Sequence, residues 1–447
     1  VVVFEQGRWV SYAHCGTPYY VKGEVDALED LLSLSPAEIE ERGIDLRREH
    51  EVVAVDPDRG TATVDSGEER FEQPYGDLLI ATGAHAVSNA IDGADRDGVF
   101  TLHGMDAAAA IRAFLTPPDE ADPAAVDGAF VDRALVADYA GRAPPESAAI
   151  VGGGYVGVEM AEAFSAHGLD VHLFQRPERL LPPFGAAPAE RVAETLCDHG
   201  VTLHLDNEVD ELVAGADDTV AGVVVDDERV PVDTAVVGIG IEPNTALVDG
   251  AGVELGVESA IAIDDYGRTN RERVYAAGDC AEMRHAVTGE PDWVPLGLTA
   301  NRAGRAIGQT VAGTPTPVGD IAGTAVVKAF EMECGRTGIL DHERAREAGF
   351  DPVSETVTAG SRSGYYPGNA ETTVTLTADH ETGRLLGGSI AGEDRAAIRI
   401  DTVATALDGD ATVDELERMD LAYAPPFSPV WDPVLVAAKV LNGSVEG

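Results

Sequence analysis

The chain is poor in cysteine, in cationic side chains and in long apolar runs, and each scarcity removes a class of protein. Four cysteines in 447 residues, Cys15, Cys197, Cys280 and Cys334, show no metal-ligand spacing and no disulfide-rich pattern, which suits a reducing compartment. Only 31 Lys and Arg stand against 79 Asp and Glu, a formal charge of -48. Nucleic acid and anionic membranes are therefore disfavoured as partners, and any polyanionic ligand must be met by a local cationic pocket. No apolar run is long enough to span a bilayer and no signal peptide is present, which points to a cytoplasmic protein. Apolar residues still make up 44%, so the acidity is not that of a disordered tail. Spread along the whole chain, it reads as the surface of a halophilic protein, kept hydrated in concentrated salt where screening over about 3 Å removes the self-repulsion. The length suffices for about three domains.

What is present is organised around Ser11-Tyr12-Ala13-His14-Cys15-Gly16-Thr17-Pro18-Tyr19-Tyr20, one cysteine among small, hydroxyl-bearing and turn-forming residues. A dithiol centre needs a second cysteine nearby, but Pro18 and Tyr20 stand three and five residues on. A redox role for Cys15 would thus pass through a sulfenic acid or a mixed disulfide with a small thiol, both of which require an accessible thiolate. The alternative is a buried cysteine that only packs.

Nucleotide-binding patterns flank this stretch. Val1-Val2-Val3-Phe4-Glu5 reads as an apolar strand ending in an acid, the form of a second Rossmann strand whose carboxylate grips a ribose. The first strand and its glycine turn are missing ahead of it, and no initiator Met is present, so the chain is expected to be truncated or mis-started. Glu24 to Glu41 reads as helical, Val52 to Glu72 as hairpin-rich, and Tyr75–Ala84 as a buried strand entering the small-residue turn at Thr82 and Gly83. A Pro- and acid-rich connection covers 112–147. Strand, G-x-G-x-x-G and helix follow, with Gly152, Gly154, Tyr155, Val156 and Gly157 in the turn; that context makes the fingerprint a strong one for a pyrophosphate at a helix N-terminus. Where NAD-specific folds carry an acid, Gln175 and Arg176 stand, with Arg179 one turn on; loss of the acid and gain of cations favour NADP over NAD. Gly240 ends the next buried strand. A further short strand delivers Asp279 and Ala281 to a helix start, where a carboxylate can accept hydrogen bonds from a polyol; the neighbouring Cys280 reads as packing. Asn301 and Arg305 share a helix face. From about 325 the pattern turns to alternating strands and an acid-rich helical tail.

Together the S-x-x-x-C-G-x-P-Y stretch, the Gly152 fingerprint, the Y-A-x-G-D run at Asp279 and the Y-A-P-P-F-S-P run from Tyr423 resemble the FAD- and pyridine-nucleotide-dependent disulfide oxidoreductases. Within them they resemble the single-cysteine branch that includes coenzyme A-disulfide reductase, NADH oxidase and NADH peroxidase. The resemblance implies an α/β fold of two Rossmann-like domains and an α+β dimerisation domain. It divides the chain into a first FAD segment (1–111), the connection (112–147), an NAD(P)H domain (148–250), a second FAD segment (251–324) and an interface domain (325–447). FAD would lie along Glu5, Thr82, Gly83, Asp279 and Ala281, and NAD(P)H along the Gly152 loop. Coenzyme A would be met by Ser11, Arg47, Asn301 and Arg305. Tyr365 or Tyr366, with Tyr423, would reach the partner subunit's site in a homodimer. The activity implied is reduction of coenzyme A disulfide through a Cys15–S–S–coenzyme A intermediate, with no metal. Two alternatives stay open: an oxidase or peroxidase cycling Cys15 through sulfenate, and a truncated nucleotide-binding remnant without competent flavin.

Overall fold

A computed structural model of the chain describes residues 1–215 and 218–446. It divides into two compact units: Val1–Arg176 with Asn207–Glu282 and Ala300–Val318, and Pro177–Asp206 with Met283–Thr299 and Gly319–Gly447. Among the described residues no helix is long and apolar enough to cross a membrane.

In the first unit the strand Ser147–Val151 has parallel neighbours on both sides, Asp170–Gln175 and Thr234–Val237, and Val99–Phe100 pairs beyond the latter. Ala149, Val151, Phe174, Ala235 and Val237 pack with Leu212 and Val223 of an antiparallel ribbon. Runs such as Ala-Ala-Ile-Val and Thr-Ala-Val-Val, with no polar alternation, belong to strands covered on both faces. The helix Tyr155–Ala166 leaves the central strand through the glycine loop.

A second part of this unit pairs Leu78–Ile80 in parallel with Val274–Ala276, over a core of Val55, Ile80, Val248, Ile261 and Ala276. The hairpin-rich section is the antiparallel sheet Glu51–Asp56, Thr61–Asp65 and Arg70–Pro74. The valine run forms the strand Val2–Glu5, which among the described residues pairs only with Asp45–Arg48 and leaves Val2 and Val3 over one-third exposed. The helical reading of Glu24 to Glu41 is corrected: a 3-10 turn, Leu28–Leu31, precedes a short helix, Pro36–Glu41. Ser35 accepts the Glu38 amide hydrogen while Glu38 reaches back, and Pro36 occupies the first turn, so a new helix starts where a single one was expected. The Pro- and acid-rich stretch contains a helix, Arg133–Ala140, capped by Asp132.

The second unit is built on a five-stranded antiparallel sheet in the order Ala325–Ala329, Met332–Gly338, Leu385–Gly392, Glu371–Asp379, Pro352–Gly360. Every residue of Leu385–Gly392 is buried. Val374, Leu376, Leu386 and Ile390 form one core with Ile400 and Val403 of the helix Ala396–Asp408 and Val434 and Leu441 of Pro433–Glu446. The whole is a mixed α/β protein.

Candidate functional site

Cys15 sits in a 3-10 turn, His14–Gly16, that opens directly into the helix Thr17–Lys22. Thr17 hydroxyl donates to the His14 carbonyl at 2.9 Å, Pro18 presets the first helical turn, and Gly23 at φ 95° ends it. Upstream, Ser11 takes φ 58°, and its carbonyl accepts the Ser33 amide hydrogen at 2.6 Å. The short helix is tied to Tyr155–Ala166 by two polar bridges. Tyr19 hydroxyl donates to Glu159 Oε1 at 3.0 Å, and Lys22 Nζ to Glu162 Oε1 at 2.6 Å. From a different helix, Met105–Leu115, Arg112 donates to the Tyr20, Val25 and Asp26 carbonyls and lies 4.4 Å over the Tyr20 ring. The cysteine turn and the glycine loop are thereby joined through adjacent helices.

The thiol is free and its residue exposed. Enough protein crowds the sulfur, however, that burial is the first reason its pKa is raised; Glu159 and Asp279 carboxylates raise it further, against its own backbone N–H. Asp279 is itself pushed above the usual carboxylate range by burial, opposed by His103. His103 Nε2 donates to the Ala84 carbonyl at 2.6 Å, and its ring lies 5.2 Å from that of His14, whose pKa is lowered by burial and then by His103. Cys15, Asp279, Glu159 and the two histidines thus form one neighbourhood. Cys280, by contrast, is fully buried against the Ile80 and Ala277 carbonyls, a packing thiol.

The parallel strands Leu78–Ile80 and Val274–Ala276 run side by side and release their C-terminal turns together, Thr82 and Gly83 from one, Gly278 and Asp279 from the other. Ligands of open α/β sheets lie outside such ends. Gly83 and Gly278 take φ 68° and 81°, and a Cβ on Gly83 would meet nothing within 4 Å, so backbone is presented to open space. Thr82 hydroxyl donates to the Asn244 carbonyl at 2.6 Å, and the helix start expected at Asp279 is corrected to a tight turn, closed by the Ala281 amide donating to the Gly278 carbonyl at 3.0 Å. At the end of Val2–Glu5, Glu5 Oε1 accepts the Gly7 amide hydrogen at 2.7 Å. Two glycine turns, a partly buried carboxylate and an open approach fit the ribityl side of an FAD.

In the fingerprint Gly152 takes φ 109°, and a Cβ there would lie 2.7 Å from the Gly238 carbonyl carbon. A Cβ on Gly157 would overlap the Gly152 carbonyl oxygen. Gly154 faces open space, while Tyr155 and Val156 begin the helix half-buried. This cradle fits a pyrophosphate. Gln175, only 7% exposed, accepts the Gly153 amide hydrogen at 2.8 Å on Oε1, so its side chain fastens the loop. Arg176 is exposed, 3.6 Å from Glu208, and Gly240 takes φ 134° with its carbonyl accepting the Val87 amide hydrogen.

Arg47 lines an open concavity of about 650 Å³ with Arg48 and His50, pairs with Asp45 at 2.8 Å and lies 5.5 Å over the Phe4 ring. Asn301 and Arg305 are exposed on the helix Gly297–Val311. The tyrosines belong to the second unit: Tyr365 is 80% and Tyr423 59% exposed, and Tyr366 is half-buried with its amide donating to the Ser363 carbonyl at 2.7 Å. Sequence reasoning assigned no role of their own to Tyr19, Lys22, Glu159 and Glu162. Their signal was available: both pairs have the three-residue spacing that puts side chains on one helix face.

Residues 1–297 match the profile of the pyridine nucleotide-disulphide oxidoreductases, and residues 324–433 match the dimerisation domain of that name. The chain is 38% identical over 445 residues to the NAD(P)H coenzyme A polysulfide/persulfide reductase of Pyrococcus horikoshii, covering 99% of this chain and 92% of that protein. It is 28% identical over 440 residues to the coenzyme A disulfide reductase of Staphylococcus haemolyticus, covering 96% and 90%. Among solved structures, a NAD-dependent persulfide reductase from A. fulgidus superposes with a TM-score of 0.90 at 30% identity, covering all of this chain and 79% of the other.

Proposed function

The chain belongs to the pyridine nucleotide-disulphide oxidoreductase family, and from that premise we propose that it reduces coenzyme A disulfide with NAD(P)H, using Cys15 as its single redox sulfur. The observation that carries this reading is an accessible, free Cys15 fastened beside the glycine-loop helix and the Asp279 turn. The Cys15 thiolate attacks one sulfur of the disulfide; the S–S bond breaks, one coenzyme A thiolate leaves and takes up a proton, and Cys15–S–S–coenzyme A remains. Two electrons from NAD(P)H, with a proton, then cleave the mixed disulfide to the Cys15 thiolate and a second coenzyme A thiol. Glu5, Thr82, Gly83, Asp279 and Ala281 would hold FAD, which when bound would supply the two-electron carrier between nicotinamide and sulfur.

The chain's own residues bind and orient. The loop Gly152–Gly157 and its helix N-terminus hold the nicotinamide cofactor's pyrophosphate, and Arg176 favours a 2'-phosphate. Ser11, Arg47, Asn301 and Arg305 hold coenzyme A, whose phosphates need cations in a chain this acidic. In a homodimer, Tyr423 with Tyr365 or Tyr366 of one copy donates a hydrogen bond to the departing thiolate at the other copy's Cys15. The dimerisation-domain match and the exposure of Tyr365 and Tyr423 support that placement.

The test is anaerobic NADPH oxidation by the FAD-loaded chain in concentrated salt. Coenzyme A disulfide is expected to accelerate it at least tenfold, with two thiols appearing per NADPH. Acceleration only by a persulfide, a polysulfide or oxygen would replace this substrate.

A further inference from the structure

The two tyrosine-bearing loops of the second unit are far apart in sequence, one following the strand Pro352–Gly360 and the other preceding the helix Pro433–Glu446. Both are bound to the first turns of the helix Ala396–Asp408 by one side chain. Arg399 Nε donates to Asp432 Oδ2 at 3.0 Å, Nη1 to the Asp394 and Arg395 carbonyls at 3.1 and 3.2 Å, and Nη2 to the Ser361 and Phe427 carbonyls at 2.7 and 3.1 Å. A guanidinium has five N–H donors in a fixed fork, and here all are used. The side chains of Arg399 and Asp432 are only 10% and 12% exposed.

Each arm of this clamp continues into its loop. Asp432 also accepts the Ser428 hydroxyl at 2.9 Å, and the Phe427 and Ser428 amides donate to the Ala424 carbonyl, closing the turn that follows Tyr423. On the other side, Asp394 receives Arg362 through both oxygens at 2.7 Å and the Ser361 hydroxyl at 2.7 Å. Arg362 Nη1 reaches the Pro367 carbonyl at 3.3 Å, bridging the turn that carries Tyr365 and Tyr366. Its guanidinium holds the Asp394 carboxyl far below the usual carboxylate range. Two arginines near the start of a helix oppose the helix dipole, so their placement answers a different need.

We propose that Arg399 is a positioning residue that locks 361–367 and 423–428 together, so that the tyrosines of both loops are presented as one acid group rather than two independent ones. This rests on the reading above, in which those tyrosines serve the departing thiolate. Neither loop can shift without breaking charge-assisted hydrogen bonds that the other loop shares.

The test uses the FAD-loaded full chain and four variants: Arg399→Met, Arg399→Lys, a Tyr365/Tyr366/Tyr423→Phe triple variant, and that triple variant with Arg399→Met. Hydrogen exchange is expected to rise at least tenfold in both loops of either Arg399 variant, because a thioether has no donor and an ammonium only three for five acceptors, and to stay unchanged in the triple variant. Turnover with coenzyme A disulfide is expected to fall at least tenfold in either Arg399 variant with KM for NADPH unchanged, and no further when Arg399→Met is added to the triple variant. Exchange rising in one loop only or in neither, full turnover in Arg399→Lys, or an Arg399 loss that multiplies with the tyrosine loss would each overturn the proposal. If the triple variant alone turns over at the parent rate, the tyrosine reading fails, while the exchange result still decides whether Arg399 joins the loops.

Discussion

Replacing Lys22 by Met removes an ammonium held 2.6 Å from Glu162 Oε1, in a pair whose side chains are 18% and 6% exposed. Breaking a buried ion pair by deleting one partner costs about 3–5 kcal/mol, and the residual exposure of Lys22 puts this case near ~3 kcal/mol. The second bridge from Lys22, to the half-exposed Glu24, adds at most about 0.5 kcal/mol. A chain with two compact units is not expected to unfold in one step, so a denaturation midpoint would blur the effect. Native-state hydrogen exchange reads it locally: amides of Thr17–Lys22 should exchange roughly a hundredfold faster, while those of Leu385–Gly392 stay unchanged. The double replacement Lys22→Met with Glu162→Leu should recover most of the protection, because an apolar pair of similar volume has no ionic desolvation to offset. The pH dependence has a definite sign. Burial alone would lower the Lys22 pKa, but hydrogen bonds to Glu162 and Glu24 outweigh it, so the value is raised. The bridge is therefore at full strength below the ordinary value of 10.5 and is lost as pH rises through the higher folded value. Unchanged protection in Lys22→Met, or a double variant as exposed as the single one, would refute the claim that this bridge fastens the cysteine helix.

Three further outcomes follow from the site. Alkylation of Cys15 by iodoacetamide should accelerate through a midpoint above the ordinary thiol range, and Glu159→Gln should move that midpoint to lower pH by removing a carboxylate that raises it; an unmoved midpoint contradicts the electrostatic assignment. Gly157→Ala forces a methyl into the Gly152 carbonyl, an overpacking of about 1–3 kcal/mol in the loop proposed to hold the nicotinamide cofactor, so KM for NADPH should rise at least fivefold in steady-state assays. Arg176→Ala should lower kcat/KM for NADPH about tenfold or more and leave NADH within twofold, since only one cofactor carries the 2'-phosphate; equal losses for both would remove Arg176 as the discriminator.

The legible parts of this protein were those in which a short run specifies its own backbone. The fingerprint at Gly152 stands between a strand and a helix as its spacing demands, Tyr75–Ala84 and the run before Asp279 become paired strands, and the strand-rich region after 325 forms one antiparallel sheet. Misreadings arose where local chemistry competes with pattern, as at Ser35-Pro36, where a cap starts a short helix inside a stretch that reads as one helix. The polar framework was largely invisible, because its members are joined across long sequence separations. Gln175, which stands where NAD-specific folds carry an acid, also fastens Gly153, and Arg399 gathers segments around 361, 394, 427 and 432. No spacing rule announces such a contact; only the folded chain brings those carbonyls within reach of one guanidinium.

The central claim concerns one sulfur, and mass analysis of the peptide containing Cys15 tests it most directly. After incubation with coenzyme A disulfide in the absence of NADPH, that peptide should carry the mass of one coenzyme A, and adding NADPH to the FAD-loaded chain should release it. An unmodified Cys15, or a Cys15→Ser variant that reduces coenzyme A disulfide at the parent rate, would contradict the account.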